Sequence, residues 1–77
     1  MDAVVVYSRK GCHLCEDLID ELKPLIAGRL DLEVRDIDTN QAWHELYFMD
    51  IPVVEFEGKL ICMHFLDHDA ITGILRG

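Results

Sequence analysis

Hydrophobic and polar positions along this chain follow two periods in turn. Ala3-Val4-Val5-Val6-Tyr7 is an unbroken run of strand-forming residues closed by the turn-prone Ser8-Arg9-Lys10-Gly11, which predicts a buried strand and then a loop. The period then changes: Leu14, Leu18, Ile19, Leu22, Leu25 and Ile26 recur at helical spacing, with Glu16, Asp17, Asp20 and Glu21 on the remaining faces. This predicts an amphipathic helix from about Cys12 or His13 to about Ala27, stopped by Gly28. Pro24 lies inside it and lacks the N–H that would bond the Asp20 carbonyl, so a kink or an early last turn is expected. Leu30-Asp31-Leu32-Glu33-Val34 alternates residue by residue, the pattern of a strand with one face toward the core.

Asp36-Ile37-Asp38-Thr39-Asn40 breaks the alternation and offers capping side chains, Thr39 or Asn40 foremost. A short helix is expected next, with Ala42, Trp43, Leu46 and Tyr47 at helical spacing, ending at Asp50. Too short to be stable alone, it must lean on the sheet. Ile51-Pro52 opens a third strand, Val53-Val54-Glu55-Phe56, since proline is tolerated at a strand start. Glu57-Gly58-Lys59 reads as a hairpin turn and Leu60-Ile61-Cys62-Met63 as the return strand. Ala70, Ile71, Ile74 and Leu75 share one face of a closing helix capped by Asp67 and ended by Gly77. The first strand, helix and second strand form a right-handed crossover between parallel strands. The order β-α-β-α-β-β-α predicts an α/β fold, a four-stranded mixed sheet with helices on both faces, as one domain over residues 1–77 without linker or repeat.

Composition narrows what such a domain does. Seventy-seven residues leave room for one modest core, and 51% hydrophobic residues argue against disorder. A formal net charge of −8 leaves no basic stripe for nucleic-acid phosphates and disfavours anionic membranes. No apolar run approaches the ~18 residues of a spanning helix, and the first residues lack a signal-peptide layout, so a cytoplasmic address is expected. Three cysteines cannot all pair within one chain, which fits a reducing compartment rather than a disulfide framework. A monomer is expected.

The candidate chemistry lies in Lys10-Gly11-Cys12-His13-Leu14-Cys15, where the first strand hands over to the helix. Residues three apart in a first turn share a face, so a disulfide can close there. First-turn N–H groups have no intrahelical acceptors and favour a thiolate at Cys12; such positions lower a thiol from about 8.5 to roughly 3.5–7.5. Arg9 and Lys10 add positive charge, while Glu16 and Asp17 oppose the effect. Cys12 is then the nucleophile and Cys15, one turn in, the resolving thiol.

Other readings compete. The pair could be inert buried cysteines, a redox switch in a non-catalytic binding module, or a zinc clip completed by Cys62, His13 or His64. No second Cys-x-x-Cys exists, so no metal residue is assigned. His13 could stabilise the thiolate or move protons, or be an exposed loop histidine. Asp67 and Asp69 are positioned to hold His64 and His68 by ordinary hydrogen bonds. Cys62 reads as a small apolar strand residue, and Trp43, Tyr47 and Phe48 as packing rather than a ligand box.

With Cys12-His13-Leu14-Cys15 after the first strand and Ile51-Pro52-Val53-Val54 before a hairpin, the chain resembles thioredoxin-fold proteins of glutaredoxin size, most closely the small glutaredoxin-like redoxins, over essentially its whole length. The resemblance implies thiol–disulfide exchange on protein or small-molecule disulfides, with Cys12 nucleophilic, Cys15 resolving and no bound cofactor. It also implies a cis Ile51-Pro52 bond facing the cysteine pair, whose backbone pairs with an extended substrate. Glutathione or a flavin-dependent reductase would supply electrons. Arg9 matches the basic position that meets glutathione's glycyl carboxylate, and Asp67 an aspartate near its γ-glutamyl end; Lys10 and His13 flank the cysteines on the substrate side. Two departures stand out: His13-Leu14 replaces the Pro-Tyr of classical glutaredoxins, and Cys62-Met63-His64-Phe65-Leu66-Asp67 lacks their Gly-Gly pair.

Overall fold

The computed structural model describes residues 3–77. Its organising strand is β1 (Ala3–Ser8), which lies between β2 (Asp31–Asp36), parallel to it, and β3 (Val53–Phe56), antiparallel to it. β4 (Lys59–Met63) pairs antiparallel with β3 and completes a four-stranded sheet of order β2-β1-β3-β4. The helices are α1 (His13–Ile26), α2 (Gln41–Tyr47) and α3 (His68–Arg76), and a 3-10 turn (Ile37–Thr39) precedes α2. This is the element order and mixed sheet expected from the pattern.

An inner strand has both faces covered, and the unbroken apolar run of β1 supplies two different cores. Val4 and Val6 point one way, and with Val54 they meet Leu18, Leu22 and Ile26 of α1 and Ile71 of α3. Tyr7 points the other way and packs with Ile37 and Val53, over which Trp43 and Tyr47 of α2 close. Helices therefore lie on both faces, α1 and α3 on one and α2 on the other.

Local signals set most element ends. The Asn40 side chain accepts the Trp43 N–H at 3.2 Å and the Asp67 side chain accepts the Ala70 N–H at 3.0 Å, so both helices start at their expected caps. Thr39, the other candidate, instead donates its hydroxyl to the Asp36 carbonyl at 2.7 Å. α1 runs through Pro24 and stops at Ile26, where Gly28 at φ 74° turns the chain back. Pro24 and Asp20 both lie on the exposed side, where water can reach the carbonyl that proline leaves without its helical donor. The hairpin pairs Phe56 with Lys59 across a two-residue loop, and both Glu57 (φ 52°) and Gly58 (φ 76°) take the positive φ such a loop requires.

Three expectations need correction. β2 is longer than Leu30–Val34, and its alternation is only half used: Leu32 packs on the core, whereas Val34 is 50% exposed because this edge strand runs past the cover of α1. Ile37, read as part of a pattern break, is fully buried within the 3-10 turn. In α2 only Trp43 and Tyr47 reach the sheet; Ala42 and Leu46 face outward, since seven residues present barely one stripe.

Candidate active site

The strand register assembles the site. Tyr7 pairs with Val53 and Val53 with Met63, so the C-terminal ends of β1 and β4 and the N-terminal end of β3 lie side by side. That edge carries the loop leading to Cys12, the Ile51-Pro52 bond and the segment His64–Leu66. Gly11, at φ 79°, closes the turn in which the Cys12 N–H donates to the Arg9 carbonyl at 3.2 Å. Cys12 is the N-cap of α1: its carbonyl accepts the Glu16 N–H at 3.0 Å, and its sulfur accepts the Cys15 N–H at 3.2 Å.

The two cysteines differ in surroundings. Their Cα atoms are 5.2 Å apart and their sulfurs are at disulfide distance. Cys12 is partly open to solvent, whereas Cys15 is fully buried. An N–H aimed at Sγ from an uncompensated helix start favours negative charge on that sulfur. The geometry thus aims a helix-start N–H at the sulfur of the accessible cysteine and keeps its partner behind it.

The Ile51-Pro52 bond is cis and Pro52 is buried. The Pro52 carbonyl accepts the His64 N–H at 2.8 Å, and the Ile51 N–H donates to the Tyr47 carbonyl at 3.1 Å, so α2 and β4 both anchor this loop. Arg9 is drawn away from the thiols into an ion pair with Asp38 (Nε–Oδ2 2.8 Å). Lys10 is exposed, and with Ser8, Arg9, Glu16, Val34 and Asp36 it rims a shallow depression on one side of Cys12. The His13 side chain is 91% exposed, with Nδ1 3.7 Å from Glu16, and so faces solvent from the first turn of α1. Asp67 is occupied as the cap of α3.

His64 and His68 are held otherwise than by Asp67 and Asp69. His64 Nε2 lies 3.7 Å from Asp50, which ties the turn after β4 to the loop before Pro52, and His68 Nε2 lies 3.3 Å from Glu21 on α1. Long-range packing chose partners 14 and 47 residues away over the sequence neighbours. His64 has φ 69°, and the Phe65 N–H returns to the Met63 carbonyl at 2.8 Å. A positive φ at a residue with a Cβ costs about 1–3 kcal/mol. The tight turn therefore occurs here without glycine, and it leaves Phe65 72% exposed.

Cys62 is a half-buried free thiol packed against the aliphatic core. Burial pushes it up from its ordinary value and the Asp67 carboxylate adds to this, while a backbone hydrogen bond at Asp67 acts in the opposite direction. Among the described residues no three His, Cys, Asp or Glu side chains converge as a metal-binding group, so the zinc clip weighed from the sequence lacks a third ligand. A cavity of about 460 Å³ lies at the opposite end of the sheet between Leu30, Phe56, Lys59, Ile61, Ile74 and Leu75, and among the described residues no cysteine or histidine lines it. Among the described residues no helix is long and apolar enough to cross a membrane.

With the cysteine pair at the head of α1 and the cis-proline loop on the same sheet edge, comparison with known proteins becomes specific. A family model for the glutaredoxin-like domain (DUF836) matches residues 3–76. The chain belongs to this family. Its fold is accordingly the glutaredoxin-like form of the thioredoxin fold. Among solved structures, the solution NMR structure of protein Ne2328 from Nitrosomonas europaea is similar at 41% identity, covering 95% of this chain and 89% of that one, with a TM-score of 0.83. Two more distant structures share the fold. The crystal structure of SA0789, a protein of unknown function from Staphylococcus aureus, is 20% identical (97% and 88% covered, TM-score 0.67). A malarial protein is 17% identical (99% and 94% covered, TM-score 0.64). None of the curated proteins matches the chain.

Sequence reasoning missed Asp38, Asp50 and Phe65. Asp38 lies within the run of capping residues 36–40, but its pairing with Arg9 spans 29 residues and has no local signature.

Proposed function

We propose that this protein is a thiol–disulfide oxidoreductase that reduces disulfides of other molecules. The observation that carries the reading is the Cys15 N–H donated to the Cys12 sulfur at 3.2 Å, with Cys12 accessible and Cys15 fully buried. In the reduced protein the Cys12 thiolate attacks one sulfur of a substrate disulfide, forming a mixed disulfide and expelling the other substrate sulfur as a thiolate. Cys15, on losing its proton, attacks Cys12 Sγ and releases the second substrate thiol. Two electrons pass to the substrate; the proton lost by Cys15 and one taken from water end on its two sulfurs. A two-electron thiol reductant, either two glutathione molecules that leave as their disulfide or a flavin-dependent reductase, restores the pair. Cis Pro52 and Ile51 support an extended substrate at the sheet edge, with the exposed Lys10 and His13 beside it.

The test is intact-mass analysis of reduced protein incubated with oxidised glutathione, beside Cys12→Ser and Cys15→Ser. Wild type should lose two hydrogens, Cys15→Ser should retain one glutathione on Cys12, and Cys12→Ser should form no mixed disulfide at the motif. Reaction confined to Cys62, or none, would overturn the assignment.

A further inference from the structure

A depression of about 160 Å³ lies between the start of α1 and the turn after β4, and shares no lining residue with the one rimmed by Arg9 and Lys10. Leu14, the residue immediately before Cys15, stands at its upper edge and is 48% exposed; Leu18 forms its floor, and Phe65 is 72% exposed on the opposite wall. Asp17 and Glu21, one helical turn apart, complete the α1 side. Among the described residues, the one basic-capable side chain on its wall is His64, already 3.7 Å from Asp50, and the nearby His68 is engaged with Glu21. The hollow is therefore apolar within, acidic at its margin and continuous with the end of the helix that presents Cys12.

We infer that this depression reads the residue flanking the substrate's disulfide and selects polypeptides in which an apolar side chain is followed by a lysine or arginine. The inference rests on the exchange chemistry proposed above and names its substrate class. An apolar side chain inserted between Leu14, Leu18 and Phe65 removes their exposed surface from water. A cation on the next residue reaches Asp17 and Glu21, whereas an anionic ligand meets repulsion there. Glutathione, with two carboxylates and one amine, and a second copy of this chain, with a net charge of −8, are both the wrong sign. A basic polypeptide is the complementary occupant.

The experiment compares three substrates on the full chain: a neutral small disulfide, bis(2-hydroxyethyl) disulfide, and two peptide disulfides that differ only in carrying Leu-Lys or Leu-Glu beside the cysteine. Wild type should reduce the Leu-Lys peptide with a kcat/KM about three- to tenfold above the Leu-Glu peptide, the size expected of two partly exposed charge contacts. The preference should shrink in about 1 M salt, where the screening length is roughly 3 Å. The double variant Asp17→Lys/Glu21→Lys should bring the ratio to one or below, although the chain stays acidic. With a further peptide carrying Gly-Lys beside the cysteine, the advantage of Leu-Lys over Gly-Lys in Phe65→Ala should be about threefold smaller than in wild type. Equal rates on both peptides, or a preference that survives the double reversal undiminished, overturns the inference while activity on the neutral disulfide leaves the oxidoreductase reading standing. Inertness toward all three substrates removes both.

Discussion

On one face of the sheet Val4, Val6 and Val54 meet the aliphatic stripes of α1 and α3; on the other, Tyr7, Val53 and Ile37 meet the rings of Trp43 and Tyr47. The first core works by apolar area alone, which is non-directional and indifferent to small rotations. The second combines area with direction. The Tyr7 and Tyr47 rings lie 4.3 Å apart, Trp43 stands edge-on to Tyr7 at 5.7 Å, and the Tyr47 hydroxyl donates to Glu55 at 2.9 Å. Arg35 donates to the Tyr7 hydroxyl at 2.9 Å, pairs with Glu33 and lies 5.2 Å over the Trp43 ring. A seven-residue helix cannot hold itself, so these directional contacts fix where α2 ends and the loop to Pro52 begins. The aliphatic face supplies stability; the aromatic face supplies the position of the loop beside the cysteines.

The sharpest way to break this division is on the aliphatic side. Leu22→Ala removes a fully buried side chain from the middle of α1 and should cost about 2–5 kcal/mol in urea unfolding, a large share of what a small domain has. The remaining folded fraction should keep its thiol chemistry.

A smaller effect is expected across the sheet. Tyr47→Phe removes one hydroxyl and leaves Glu55 a donor short, at about 1–3 kcal/mol. It should also change the pH profile. Burial, then the Glu55 carboxylate, raises Tyr47 to about 12 from an unfolded value of 10.0. The folded state holds that proton more tightly, so the stabilisation is complete below about pH 10 and lost as pH rises toward 12. The wild-type-minus-variant stability difference should therefore fall between pH 10 and 12 and stay flat below. A flat difference throughout would show that the Tyr47 hydroxyl is not held by Glu55 in solution.

The smallest perturbation needs no mutation. In the reduced protein at neutral pH, iodoacetamide should label Cys12 well before Cys62, whose thiol is pushed up by burial, with peptide mapping as the readout. Equal labelling would mean that the helix start does not activate Cys12.

Much of this architecture is written locally. The caps Asn40 and Asp67, the stop at Gly28 and the Glu57-Gly58 turn each depend on side-chain or backbone chemistry within four residues, and all were legible. The Cys-x-x-Cys at a strand-to-helix junction was legible for the same reason. The candidate site was less so. The guanidinium of Arg9, three residues before Cys12, pairs with Asp38 of the 3-10 turn, a partner that no local pattern reveals. His64 and His68 lay beside aspartates yet pair with Asp50 and Glu21. Val34 fitted a strand period perfectly well and still lies half exposed, because period reports a face and not what covers it.

By itself the sequence determined the order of elements, their capped ends and the placing of two thiols three residues apart at the head of a helix, since these depend on contacts within a turn or two. Only the tertiary structure decided which helices share a face, α1 and α3 on one side of the sheet and α2 on the other. It also decided that Leu14 and Phe65 wall one depression. Burial, like the partner of a charge, is set by packing between segments distant in the chain, and no single residue carries it.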